Sequence, residues 1–328
     1  MSAAWRSRLA ALAVLALAAP ALAQPAKKPL APAQPAPPAA AAPADQGNVD
    51  LAYGAYQRGF YLTALAEATK RAQQNDPAAM TLLGELYAQG FGVGRDDNKA
   101  ANWYKLAASH GDPNAMFALA MFNFEGRAGP RNPNEGAHLL DEAAKLGHVL
   151  AAYDLGLLYL QGQQFPQDFK HAADLFTTAA AAGNPDAQYA LATMYKEGRG
   201  VPKDIRKAMV LMGEASVAGN LDAMVEYAIG QFNGEGTAKN ESAAAQLFLK
   251  AARLGSAIAQ DRLARILMAG RGMPADPTEA IKWHIIAKTG GASDPDLDQF
   301  AAKQKPEVRA AADKAAKKWL STIAALRS

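Results

Sequence analysis

From Asp76 to Gly291 the chain alternates short blocks of helically spaced apolar residues with polar or glycine breaks, and the whole pattern returns every 36 residues. The first copy predicts two helices. Asp76-Pro77 opens one, because an Asp side chain accepts from free backbone N–H groups and Pro loses nothing at the first helical position. That helix runs to Gln89 and stops at Gly90, a residue that tolerates the left-handed turn. Phe91 to Arg95 form a loop, Asp96 caps the second helix, and Gly111 ends it. The second-cap column reads Asp96, Asn132, Asp168, Asp204, Asn240 and Asp276, all good caps. The first-cap column reads Asp76, Asp112, His148, Asn184, Asn220 and Ser256, with His148 the one poor member. Asn132-Pro133-Asn134-Glu135 and Asp276-Pro277-Thr278-Glu279 add a capping-box Glu.

Between the caps, small and large residues take fixed columns. Ala79, Ala115, Ala151, Ala187, Ala223 and Ala259 form one ladder, and Gly84, Ala120, Gly156, Ala192, Ala228 and Ala264 another. Small side chains at such places let helix axes approach, while Leu83, Leu119, Leu155 and their equivalents fill between them. A fixed period of this length marks an all-α solenoid, in which each hairpin leaves an apolar face that its neighbour covers.

The string Ala79…Leu83-Gly84-Glu85-Leu86-Tyr87…Gly90-Phe91-Gly92-Val93…Asp96…Lys99-Ala100…Trp103-Tyr104…Ala107-Ala108…Gly111 resembles the Sel1-like repeat, a relative of the tetratricopeptide repeat. Six copies cover 76–291. The resemblance implies a right-handed superhelix of hairpins acting as an adaptor or scaffold, not as an enzyme, with protein or peptide partners. It also implies that many bacterial members are exported and that some regulate envelope signalling. Asn123, Gln231 and Leu267 depart from the Tyr of the motif, and Ala128–Pro130 and Gln163–Pro166 alter the loop. Residues 48–75, around Tyr56 and Gly59, resemble a shorter tetratricopeptide-like hairpin, and 292–328 read as closing helices that cover the last repeat.

The ends change the picture further. Arg6 and Arg8, the apolar run Leu9–Ala19 and Ala21-Leu22-Ala23 read as a signal peptide over 1–23, cleaved before Gln24. Retention as an anchor is the alternative, but the run is shorter than the ~20 apolar residues a span needs. Residues 24–47, almost wholly Pro, Ala and Gln, read as an extended tether. The expected location is therefore periplasmic or secreted, with no transmembrane helix in the mature chain. The chain has no cysteine, which removes disulfides and thiolate chemistry. The formal charge is +3, yet the repeats themselves are slightly acidic, which argues against nucleic acid.

Candidate chemistry is sparse. Gly90-Phe91-Gly92-Val93-Gly94 imitates a phosphate loop, but the glycines end a helix instead of following a strand. Asp294-Pro295-Asp296-Leu297-Asp298 imitates the start of a calcium loop, but Gln299 and Lys305 stand where Gly and Glu are needed. The five histidines show no metal-binding spacing, and no cofactor is expected. Phe117, Tyr153 and Tyr189 share a column that reads as core. The variable columns of the first helix remain. Leu82, Met121 and Leu157 read as exposed apolar residues, and Asp154, Glu226, Ile229, Arg262 and Arg265 as its charged and mixed continuation. These eight are the candidate partner-binding residues, on a face expected to be concave. Cell-wall or capsular glycan binding is the alternative function, and an envelope hydrolase a third, disfavoured by the missing nucleophile motifs.

Overall fold

The computed structural model describes residues 50–325. The expected signal peptide (1–23) and the whole of the expected tether (24–47) lie outside them. The described residues form sixteen helices and no strand. They divide at Ala182/Gly183 into two compact units. The first unit holds α1 (Leu51–Gln57), α2 (Tyr61–Ala72), α3 (Pro77–Gln89), α4 (Asp97–Ser109), α5 (Pro113–Glu125), α6 (Pro133–Lys145), α7 (Val149–Gln161) and α8 (Phe169–Ala181). The second holds α9 (Pro185–Glu197), α10 (Ile205–Val217), α11 (Leu221–Asn233), α12 (Glu241–Arg253), α13 (Ala257–Ala269), α14 (Pro277–Thr289), α15 (Pro295–Ala302) and α16 (Pro306–Ala325). Within each unit successive helices pack on one another as antiparallel hairpins, and α16 packs on α14.

The caps account for the register. All six second-cap side chains accept a backbone N–H three residues on, from Asp96 to Lys99 through Asp276 to Glu279. His148, expected to cap poorly, caps as well as its neighbours: its Nδ1 accepts from the Ala151 N–H at 3.0 Å. A neutral ring presents a lone pair at that nitrogen, so imidazole serves where a carboxylate would. Its ring also stacks on Phe117 at 4.6 Å. Phe117 is buried, as its column implied, whereas Tyr153 and Tyr189 of the same column are half-buried.

All six loops close alike despite their sequence differences. The N–H of each second cap donates to the carbonyl nine residues earlier, at Tyr87, Asn123, Tyr159, Tyr195, Gln231 and Leu267. The partner is backbone, so losing the Tyr side chain at three of these positions leaves the closure intact. A side chain then ties each of several loops to the hairpin before it. Phe91 stacks on Tyr61 at 4.4 Å. Arg127 donates from Nη2 to Asp97 Oδ1 at 2.5 Å and to the Ala88 carbonyl at 3.1 Å. Arg271 donates to Glu241 Oε1 at 2.5 Å.

The glycine column has a sharper role than close approach. A Cβ on Gly84 would stand 2.5 Å from the Tyr104 ring, and one on Gly156 2.6 Å from the Phe176 ring. Both rings are buried. Glycine on the first helix is the space that an aromatic ring on the second occupies. At the end of the second unit Trp283 meets Trp319 of α16 edge to face at 5.3 Å, with Ala312 and Ala316 buried beneath.

Candidate functional site

The eight candidate residues lie on first helices, but they do not share one environment. In the first unit the expected exposure is absent. Leu82, Met121 and Leu157 are buried, the last at 2 %, and Asp154 is 0 % exposed. The reason lies in the helices that carry them. α5 (PNAMFALAMFNFE) and α7 (VLAAYDLGLLYLQ) are apolar nearly all round, and such a helix is enclosed and not half-exposed. Column 82 also lies three residues from Ala79 and four from Leu86, both buried, so it borders the core stripe. The first unit therefore offers no exposed apolar row at these positions.

The second unit differs. On α11, Glu226 is half-buried and receives Lys196 Nζ of α9 at 2.6 Å, and Ile229 is half-buried beside it. Tyr189 of α9 is half-buried too. Burial, with the nearby carboxylates of Asp222 and Glu226, pushes its phenol up to about 12. Crowding by protein, together with the like charges of Asp186 and Glu226, raises the pKa of Asp222. Asn220 Nδ2 donates to Asp186 Oδ1 at 2.8 Å. Arg262 of α13 is exposed and takes no part in an ion pair among the described residues.

Arg265, placed with Arg262 on the candidate face, is occupied internally. Its Nε lies 2.5 Å from Asp294 Oδ2, with Asp296 at 3.6 Å and Asp261 at 3.9 Å. Asp294 is nearly fully buried and caps α15 through the N–H groups of Asp296 and Leu297. Burial opposes its charge, but those N–H groups and the guanidinium outweigh it and hold its pKa below the ordinary carboxylate range. The Asp-Pro-Asp-Leu-Asp segment is thus a cap and a pin. Its last carboxylate, Asp298, accepts from Lys288 at 2.9 Å and lies 2.8 Å from His284 Nε2. Sequence spacing alone gave no sign of these pins, since they join residues 10 to 31 apart in the chain.

Among the described residues no group of three or more His, Asp or Glu is arranged to hold a metal ion. None of their helices is long and apolar enough to cross a membrane. The geometry defines a class: a stack of capped helical hairpins. The chain belongs to the Sel1 repeat family, whose model matches residues 77–112, 113–148, 149–184, 185–220, 221–256 and 257–291. This is the family inferred above, with the register begun one residue later. Sel1 and tetratricopeptide-like repeats are typically protein–protein interaction scaffolds, and the family is generally non-catalytic.

Solved structures agree. A Sel1 repeat protein from Oxalobacter formigenes is 28 % identical with a TM-score of 0.64, over 74 % of this chain and 100 % of that one. A protective antigen of uropathogenic Escherichia coli displaying an SLR fold is 22 % identical with a TM-score of 0.53, over 80 % of this chain and 64 % of that one. The second likeness is one of fold alone. Among curated proteins none matches the chain.

Proposed function

We propose that this chain is an exported scaffold of the bacterial envelope, regulating an envelope or signalling process by binding a protein or peptide on the first-helix face of its second unit. The basic start, apolar run and Ala-Leu-Ala of residues 1–23 support export, and the Pro/Ala-rich stretch 24–47 supports a tether ahead of the repeats. The bacterial origin of the similar structures is consistent with that setting.

One observation carries the binding reading. The repeat columns closed over in α5 and α7 stay within reach of solvent in α9, α11 and α13, where they hold Glu226, Ile229 and Arg262. Such a face gives up its packing residues for charge, which folding does not require. Of the eight candidate residues, Ile229 and Arg262 reach solvent without an ion pair among the described residues, Glu226 does so while tied to Lys196, and Arg265 is pinned to the buried Asp294.

The test is crosslinking of the mature chain in its native envelope. Arg262→Glu should sharply lower capture with helicity and unfolding midpoint unchanged, because an exposed side chain away from structural contacts alters stability by less than about 0.5 kcal/mol. Arg265→Ala should instead cost about 2 kcal/mol, since the buried Asp294 carboxylate loses its cation. Undiminished capture by a chain carrying both Arg262→Glu and Glu226→Lys would remove this face from consideration.

A further inference from the structure

A second surface lies on α12, a second helix. Its core side is Ala244, Ala245, Phe248 and Ala251. Elsewhere on the helix Gln246, Leu249, Lys250, Arg253 and Leu254 line a shallow depression of about 260 Å³. Enclosing sites for small molecules run to roughly 300–1,000 Å³. This one is smaller and open, the right scale for one anchoring side chain of a protein surface.

Apolar exposure continues beyond it. Leu254 is 58 % exposed and Ile258, at the start of α13, 61 %. The cations beside them are unengaged. Lys239 and Arg271 both hold Glu241, at the start of this helix, whereas Lys250 and Arg253 join no ion pair among the described residues. No carboxylate lines the depression. A basic last turn suits the helix dipole. It does not account for two solvent-facing branched apolar residues next to it.

We infer that this flank of α12 docks an acidic, apolar segment of a partner protein. A leucine-like side chain seats on Leu249 and Leu254, and carboxylates one helical turn to either side meet Lys250 and Arg253. Charge complementarity selects the partner: an apolar floor alone accepts many segments, and two adjacent unpaired cations favour an acidic one. The seat itself, Leu249, Lys250, Arg253 and Leu254, lies on a second helix, whereas Ile258 at its edge stands one turn before Arg262 on α13, so the variants below are confined to the seat and leave the first-helix face unaltered.

The full chain is titrated by fluorescence anisotropy against three labelled helical peptides. One carries Leu flanked by Glu at i−4 and i+3, one has Lys in place of both Glu, and one has Ala in place of Leu. Only the Leu/Glu peptide should bind. The double variant Lys250→Glu, Arg253→Glu and, separately, Leu254→Ser should each weaken it by at least about tenfold, a loss typical of an anchor contact, with circular dichroism unchanged. Equal binding of the three peptides, or undiminished binding by both variants, overturns the proposal. So does cosedimentation with phosphatidylglycerol vesicles that the Leu/Glu peptide cannot displace, which would make the patch a membrane contact.

Discussion

The two units share their packing columns and treat the flanking columns in opposite ways. In the first, α5 and α7 surround themselves with apolar neighbours, and positions 121, 154 and 157 disappear from solvent. In the second, α9, α11 and α13 put Asp186, Asp222, Glu226 and Arg262 around an equivalent core. Ala115, Ala151, Ala187, Ala223 and Ala259 are fully buried in both. The repeat thus separates two jobs: the small-residue columns set the hairpin, and the flanking columns are free to become either more core or a polar surface. One unit has been tightened and the other left open.

The largest expected effect tests that tightness. Gly156→Ala in the first unit would drive a methyl within 2.6 Å of the buried Phe176 ring, which is rigid and enclosed. Overpacking of this kind costs about 1–3 kcal/mol, and the better helix propensity of Ala returns at most about 1. Gly230→Ala in the second unit meets chiefly the Met209 thioether, a flexible neighbour that can swing aside. It should be near neutral in urea unfolding. The two glycines stand in different columns, 156 and 230, so equal losses would mean that the Met209 thioether yields no more readily than the enclosed Phe176 ring.

Much of this was readable beforehand, and the misses share a cause. Cap residues act within three or four positions, so Asp96 or Asn240 announces its helix locally. The backbone closure of each loop follows from the same local geometry, even where Asn123 or Leu267 replaces a tyrosine. Burial of Leu82, Met121 and Leu157 is different, because it depends on neighbouring turns being apolar as well, which the variability of a column does not reveal. The Arg265–Asp294 pin and the fit of Phe176 against Gly156 depend on pairs distant in sequence. The second had a partial signal: Gly84 and Gly156 stand where the residue twenty later is Tyr104 or Phe176, and Ala120 where it is Leu140, but Ala228 precedes Phe248 by the same interval.

The inter-hairpin ties sharpen the comparison through pH. Arg127 holds Asp97 in the first unit, with Arg95 assisting, and lowers its pKa to about 2. Arg271 and Lys239 lower Glu241 to about 2 in the second. A carboxylate depressed in the folded state contributes stability that is complete above its unfolded pKa of about 4 and is lost as pH falls toward 2. Each arginine lies over a ring, Arg127 over Phe122 at 4.0 Å and Arg271 over Phe232 at 4.5 Å, but Arg127 is the better anchored, since it also donates to the Ala88 carbonyl and is the less exposed of the two. Asp97→Asn should therefore cost about 1 kcal/mol at pH 7, allowing for solvent screening, and the gap from the parent chain should close between pH 4 and pH 2. Glu241→Gln should cost less. Thermal melts across that range would show the reverse order if the tie in the second unit were the stronger.

The smallest effect concerns one loop of the first unit. Ala128 has φ 59°, in the left-handed region, where the equivalent loops of the second unit carry Gly200, Gly236 and Gly272 at φ 69°, 68° and 77°. An alanine there costs roughly 1–2 kcal/mol through its Cβ, while glycine adds up to about 1 kcal/mol of unfolded-state entropy. The balance favours Ala128→Gly by a few tenths of a kcal/mol to about 1. Arg127, one residue earlier, is fixed on Asp97, a contact that opposes relaxation of the loop. Combining the substitution with Asp97→Asn should then change the benefit. Once the tie is released, Ala128 can relax out of the left-handed region and glycine has less strain to relieve. An additive double mutant in urea unfolding would show that tie and strained turn are independent.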